Sequence, residues 1–449
     1  MLLTEKEAKG ICERLLRYTK ADDAEVSVSS ENYSHLRFAV NDFTTNGQRE
    51  DVRIHVTVWI ERKRGSSTTN GIDDASLKAA AQRAEELARL APVDVEYLPT
   101  LGPQRYQSAH GYVEATENIS PRARAKTIRQ VIDLSENAKV IAAGFHQARG
   151  AATAFATRNG NFHYERSSLV SLSMTARTVE GNGSGYFLRN HFDAAKLDAQ
   201  RIAQEAIRKS LDSRNPRPLE PGVYSVILEP QAAADLLSHL PAAFDARSAD
   251  EGRSALSAPS GKTRLGEKLF DDRINFRSDP WNPFVPDSSS AQDGIPAQKL
   301  HLIRNGIVEN LIYSRFWAKQ KGKEPTPGPV NTLIEASGQT VTTDAMIKAT
   351  TRGLLVGRFW YIRMVDARSV LLTGLTRDGV WYIENGKIQY PIRNFRFNQS
   401  IIRMLAPGNF EMIGASERVG RSEGQGSSAG LFPALKLREF NFTSVSEAV

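Results

Sequence analysis

Residues 353–374 read GLLVGRFWYIRMVDARSVLLTG, and residues 381–405 read WYIENGKIQYPIRNFRFNQSIIRML. Val380 and Tyr382 alternate with other residues before Asn385-Gly386, and Ile388 and Tyr390 resume the alternation after it. Asn-Gly supplies the positive φ angles of a tight type I′ turn, so the segment predicts a β-hairpin. The stretch KLHLIRNGIVENLIY, residues 299–313, repeats the pattern around Asn305-Gly306. Two such hairpins in one half of the chain predict an antiparallel, β-rich domain.

Upstream, helices and strands mix. Thr4 with Glu7 has the form of a capping box. Ala8, Ile11, Cys12, Leu15 and Leu16 follow at helical spacing, which turns Cys12 toward a core. Alternation at Ala24–Val28, Leu36–Val40 and Val52–Ile60 predicts strands. Ala75–Leu90 is an alanine-rich helix stopped by Pro92, and Ser120-Pro121 opens a helix reaching about Asn137. Strands resume near Val140–Phe145, Ala151–Thr157, Phe162–Thr178 and Gly185–Phe187, and a helix spans Ala194–Leu211. The runs 24–90 and 138–211 read as two distant versions of one unit. DSRNPRPLEPG, residues 212–222, continues neither a helix nor a central strand and places a domain boundary there. Beyond it come a strand at Val223–Leu228, a helix at Pro230–Leu240, and long loops at Ser278–Pro296 and Lys319–Pro329. Residues 420–430 read as a flexible tail, followed by an apolar segment, Leu431–Phe442, able to dock.

Composition bounds the possibilities. The 449 residues are 40% hydrophobic and 24% charged, as in ordinary globular proteins, and suffice for two cores. Lys and Arg number 58 against 51 Asp and Glu, a net charge of +7 spread along the chain, so nucleic acid is not an expected partner. No run reaches the roughly 18 apolar residues of a membrane helix, and the N-terminus lacks signal-peptide order. One cysteine, Cys12, excludes an internal disulfide and fits a reducing compartment, so the chain reads as cytoplasmic.

Taken together, DGIPAQKLHLIRNGIVENLIYSRFWAK (293–319), TRGLLVGRFW (351–360) and IENGKIQYPIRNF with SIIRML (383–405) resemble the C-terminal domain of the TldD/PmbA family. ENYSHLRFAVNDFTTNGQRE (31–50) and GSSTTNGIDDASLKAAAQRAEELARLAP (65–92) agree with its N-terminal part. The resemblance spans about Ala8 to Gly420. It implies an α+β fold of two domains. Residues 1–218 form a sandwich-like α+β domain, and 219–449 an antiparallel, barrel-like β-rich domain that builds a peptide channel.

Catalytic members of that family carry an HExxxH helix and a distant cysteine ligand. A zinc peptidase needs imidazoles on one helix face, a further ligand, and a carboxylate to activate water. Counting back from Gly252-Arg253-Ser254, which matches the family's Gly-x-Ser turn, puts the histidines at Leu237 and Ala242 and the glutamate at Ser238. The helix near 230–242 is therefore degenerate. Of eight histidines no two lie within five residues of each other, and Cys12 is far from the C-terminal domain. A substitute site would use Asp235 and His239, spaced i, i+4, with Asp245, Asp250 or Glu251; Pro241 interrupts that platform.

Other motifs fail. SAPSGKT (257–263) lacks the first glycine of a phosphate loop, and Gly181, Gly183 and Gly185 read as a close-packed or flexible turn. Arg315-Phe316-Trp317, Arg358-Phe359-Trp360-Tyr361 and Arg393–Phe397 interleave bases with aromatics. They read as strands with an aromatic core face rather than as nucleic-acid platforms. The resemblance implies a non-catalytic, metal-free subunit with no cofactor of its own, paired with an HExxxH-containing TldD-type subunit that holds zinc and acts on unfolded or leader peptides. His239, Arg253 and Ser254 are the candidates for facing the peptide chamber. The alternatives are an active hydrolase at Asp235, His239 and Glu251, or a basic binding protein for nucleic acid or a gyrase-type partner.

Overall fold

In the computed structural model of the chain, the described residues are 2–423 and 429–446. A six-stranded antiparallel sheet draws on strands between residues 23 and 191, and a larger, 13-stranded sheet on strands between 222 and 445. The fold is α+β, as expected.

The first sheet consists of two copies of one unit. Helix Glu5–Tyr18, strands Asp23–Ala39, Asp42–Ile60 and Lys63–Thr69, and helix Asp74–Leu90 make the first. Helix Pro121–Asn137, strands Val140–Thr157, Phe162–Thr178 and Ser184–His191, and helix Ala199–Asp212 make the second. The first strand of each unit pairs antiparallel with its counterpart at the sheet centre. The likeness extends to single residues. A Cβ on Gly65 would lie 2.1 Å from the Ala84 carbonyl oxygen, and one on Gly185 would lie 2.2 Å from the Ala206 carbonyl oxygen. In both units glycine lets the third strand touch a helix backbone. The reading of 24–90 and 138–211 as two versions of one unit matches this topology, and the Gly181–Gly185 run is the close-packed turn into the third strand.

Strand extents are longer than the alternation predicts. Ala24–Val28 and Leu36–Phe38 belong to one strand, as do Val140–Phe145 and Ala151–Thr157, and the second strand begins at Asp42 rather than Val52. The intervening residues are polar because the sheet centre is not covered by an apolar helix. Asn32 and Ser34 are buried there, and Asn32 meets Glu117 of the short helix Glu114–Glu117. Val40 is not in the strand at all. It sits at φ 54° in the turn with Asn41 and is 75% exposed.

In the C-terminal half, both Asn-Gly hairpins form. Leu300–Arg304 pairs with Ile307–Val308 and Val380–Glu384 with Lys387–Pro391, with positive φ at Asn305, Gly306, Asn385 and Gly386. The pairing is mostly antiparallel, with Leu333–Ala336 and Arg352–Val356 each adding in parallel to a neighbour. The apolar tail docks as strand Ala429–Val445, which pairs with four other strands. Of the segment read as flexible, 424–428 lie outside the described residues, whereas Gly420 ends a strand and Ser422 is buried. Arg315–Lys321 is a helix, not a strand. Ser314 caps it by accepting from the Trp317 N–H, and Gly322 closes it in the left-handed conformation.

Helix Pro230–Leu237 is the axis of this half. Every residue from Gln231 to Leu237 is buried, and Ala232, Ala233, Leu236 and Leu237 join one core with strand residues from across the sheet. A helix apolar all round is one surrounded by protein. The main path of the sheet runs from Ile307–Val308 at one end to Lys387–Pro391 at the other, and the helix packs on its strands Ala429–Val445, Phe410–Gly420, Phe359–Asp366 and Gly222–Leu228. The two sheets are tied by Lys209 to Glu229, by Arg189 to Glu417 at 2.9 Å, and by the Trp381 indole N–H to the Asp212 carbonyl at 3.1 Å.

Candidate functional site

The axial helix begins at Pro230, whose missing N–H costs nothing in the first turn. One face carries Gln231 and Asp235, one turn apart. Asp235 is 4% exposed in an otherwise apolar helix, so its carboxylate must be satisfied from elsewhere in the chain. Its Oδ1 accepts from the Ser422 N–H at 3.1 Å, the Ser422 hydroxyl at 2.8 Å and the Gln231 amide at 3.0 Å. Its Oδ2 accepts from the Phe359 N–H at 3.1 Å. The Gln231 amide also donates to the Gly420 carbonyl at 2.9 Å. Burial outweighs these donors and the nearby Arg358, and holds the Asp235 carboxyl up at about 6.

Arg358 extends this polar knot to the first sheet. Its guanidinium lies 3.2 Å from the Asp378 carboxylate and 3.8 Å from the centre of the Tyr186 ring. Asp378 accepts in turn from the Ser184 hydroxyl at 2.5 Å. Arg358 and Asp378 are both buried, so the pair is strong only while both members stay.

The other end of the helix is open. Leu237 and Ala242 bring no donor atom: Leu237 is wholly buried in the core and Ala242 is exposed. The Ser238 hydroxyl donates to the Asp235 carbonyl at 3.3 Å. His239 is half-buried. Burial first, then Arg421 and Arg363, hold its imidazolium pKa below the ordinary value, with Glu423 opposing. Glu423 lies 3.5 Å from Arg363 and accepts from the Ile362 N–H at 3.0 Å. Arg363 stacks 4.4 Å over the ring of Tyr361, which is 61% exposed at φ 58°. Among the described residues, strand Phe359–Asp366, which carries these residues, pairs only with Leu371–Thr376; no strand covers its other edge, although the N–H groups of Phe359 and Ile362 are held by Asp235 and Glu423.

The remaining candidates disperse. Arg253 is exposed and pairs with Glu251 at 2.5 Å, and Glu251 also accepts from Arg247 at 2.9 Å. Ser254 is buried; its hydroxyl donates to the Ala243 carbonyl at 2.5 Å and accepts from the Leu256 N–H at 3.1 Å, which fixes the chain reversal there. Asp245 caps helix Ala246–Asp250, and Asp250 accepts from the Trp317 indole. Cys12 is buried among Ala8, Ile11 and Leu15 with its thiol pushed up to about 12. The residues at the helix do not fit a zinc ion: both oxygens of Asp235 are engaged by donors, and Glu251 is held elsewhere by arginines. Among the described residues, no three His, Cys, Asp or Glu side chains stand close enough to hold a metal. Sequence reasoning missed Gln231, Ser422, Arg358, Asp378 and Tyr186. The available signal was Asp235 itself, a lone carboxylate in PQAAADLL.

Among the described residues, no helix is long and apolar enough to cross a membrane. Residues 221–444 match the PmbA/TldA metallopeptidase C-terminal domain, 24–88 its domain 1, and 109–214 its central domain. An uncharacterized protein of Methanocaldococcus jannaschii is 27% identical over 70% of this chain and 75% of its own length. Metalloprotease PmbA of Escherichia coli O157:H7 is 22% identical over 83% of each chain. The crystal structure of TldE from Thermococcus kodakarensis has the same fold, with a TM-score of 0.85 at 16% identity over 98% of this chain and 100% of that one. A putative modulator of a DNA gyrase from Thermotoga maritima follows at 0.83 and 15%, covering 97% and 100%. The chain belongs to the metallopeptidase-related TldD/PmbA family.

Proposed function

We propose that this chain is the non-catalytic, metal-free subunit of a TldD/TldE-type heterodimeric metallopeptidase acting on unfolded or leader peptides. One observation carries the reading. At the positions where the family resemblance puts the metal ligands stand Leu237, Ser238 and Ala242, of which only Leu237 lies in helix Pro230–Leu237, and that helix's one carboxylate, Asp235, accepts four hydrogen bonds. No group there could bind zinc and still polarise a water.

In this reading residues 1–218 and 219–449 are the two domains, and zinc belongs to an HExxxH-containing partner. An extended peptide adds as a strand along the edge at residues 363–366, past the Phe359 and Ile362 N–H groups that Asp235 and Glu423 already hold. His239, Tyr361 and Arg363 flank this edge, and neutral His239 hydrogen-bonds peptide amides rather than carrying charge. The substitute hydrolase at Asp235, His239 and Glu251 has no supporting geometry. The test is co-expression with an HExxxH relative, followed by peptidase assay of each chain alone and mixed. Cleavage by the mixture, and none by this chain, supports the reading; cleavage by this chain alone sinks it.

A further inference from the structure

A second cavity lies far from the axial helix, between the helix-free face of the six-stranded sheet and segments 292–293 and 314–316 of the C-terminal half. Its volume is about 420 Å³, within the usual range of ligand pockets. The sheet contributes Glu25, Trp59, Arg64 and Phe155, and the C-terminal half contributes Asp293, Arg315 and Phe316. We propose that this cavity binds a zwitterionic short peptide of dipeptide size, with its ammonium at Glu25 and Asp293, its carboxylate at Arg64 and Arg315, and its side chains among the aromatic rings.

The charges argue for such a ligand. Four carboxylates, Glu25, Asp94, Glu96 and Asp293, and two guanidiniums, Arg64 and Arg315, line the cavity; Glu96 is paired with Arg247 at 2.7 Å, and among the described residues no ion pair engages Glu25, Asp293, Arg64 or Arg315. Arg315 donates to the Pro99 carbonyl at 2.7 Å, which anchors it at the wall. The larger cavities differ. In the cleft beside helix Ala199–Asp212, Arg208 pairs with Glu205 and Asp212, and Lys209 with Glu229. In the groove beside Ile274–Ser278, Arg277 is bridged to Glu335 at 2.6 Å. In those two cavities most charges face a partner of opposite sign, whereas Glu25, Asp293, Arg64 and Arg315 of this one form no ion pair among the described residues.

The remaining features agree. Burial raises the carboxyls of both Glu25 and Asp293 and outweighs Arg64, which opposes it at both, Arg315 at Asp293 and the Thr57 hydrogen bond at Glu25; Asp293 adds to the effect on Glu25, so an ammonium between them would relieve both. Trp59, only 9% exposed, lines the cavity, and its indole N–H has no acceptor among the described residues. A buried donor without a partner is uncommon, and a peptide carbonyl or carboxylate would satisfy it. The loop carrying Asp293 is fixed on the sheet by the Tyr106 hydroxyl, which donates to the Gly294 carbonyl at 2.5 Å.

This site does not depend on the metal-free reading, because binding is measured on this chain alone without a partner or a peptidase assay. Calorimetric titration would compare Leu-Phe, N-acetyl-Leu-Phe and Leu-Phe amide. The expectation is that Leu-Phe binds, that blocking either end weakens it about tenfold or more, and that Glu25→Gln and Arg64→Gln each do the same, as loss of a charge-assisted hydrogen bond requires. Glu25→Gln should also lose the preference against the acetylated peptide, a signature that mere misfolding would not give. Absence of Leu-Phe binding at millimolar concentration overturns the proposal. So do equal affinities for all three ligands, or wild-type binding by both variants.

Discussion

Within helix Pro230–Leu237, Gln231 and Asp235 are buried, and both carboxylate oxygens of Asp235 accept hydrogen bonds, from Gln231 one turn before and from chain segments 124 and 187 residues away. Just past its end, His239 is half-exposed beside the edge of strand Phe359–Asp366, with Tyr361 held in a left-handed conformation and Arg363 shared between a ring and Glu423. One helix thus has a locked end and an open end. The locked end is where a polar group has been made structural: it fastens the turn at 420–423 and the start of strand Phe359–Asp366 to the core. The open end keeps strain, in the left-handed Tyr361, of the kind that clusters at ligand clamps and switch regions. In the proposed function, the difference separates a framework that holds a peptide from chemistry that cuts one.

The largest effect should come from unlocking the closed end. Asp235→Ala leaves the Ser422 and Phe359 donors buried without an acceptor and should cost about 3 kcal/mol in urea unfolding. A loss below about 1 kcal/mol would show that the two ends do not differ in this way.

The second prediction uses pH. The folded Asp235 carboxyl titrates at about 6, above the roughly 3.9 of an unfolded aspartate. The folded state therefore holds the proton more tightly between these values. The stability contributed by Asp235 is full below about pH 4 and is lost as pH rises through about 6, on the order of 2–3 kcal/mol. Asp235→Asn should remove that slope from the difference between variant and wild type; an unchanged slope would place the titration elsewhere.

At the open end the signs reverse. Tyr361→Gly relieves a left-handed non-glycine residue and should raise stability by about 0.5–1 kcal/mol, the relief being partly offset by the greater freedom of glycine when unfolded. The same variant should weaken peptide capture by the assembled complex. Smallest of all, His239→Ala should change stability by no more than about 0.5 kcal/mol while lowering peptide turnover by the mixed subunits. A thermal melt and a turnover assay on one preparation check both; a melt that falls as far as that of Asp235→Ala would erase the contrast.

The locked and open ends were unequally legible in the chain. Asn305-Gly306 and Asn385-Gly386 announce their hairpins because those residue types favour positive φ. The turns at Val40-Asn41 and Glu61-Arg62 use the same backbone with residues that carry no such signal, so long strands were read as short ones. Helix Arg315–Lys321 was read as a strand from its aromatics, although Ser314 and Gly322 stood at its caps. Asp235 could be seen as a carboxylate in an apolar helix. That it is tied to Ser422 and Phe359 could not, because those contacts depend on how the helix packs on the sheet. That Leu237 and Ala242 carry no side-chain donor atom is legible without geometry.

The most direct measurement is zinc content and peptidase activity on the same preparation of this chain, alone and after mixing with an HExxxH relative. The account predicts no stoichiometric zinc and no cleavage from this chain alone, with cleavage by the mixture. Stoichiometric zinc together with cleavage by this chain alone, both lost on His239→Ala, would contradict it.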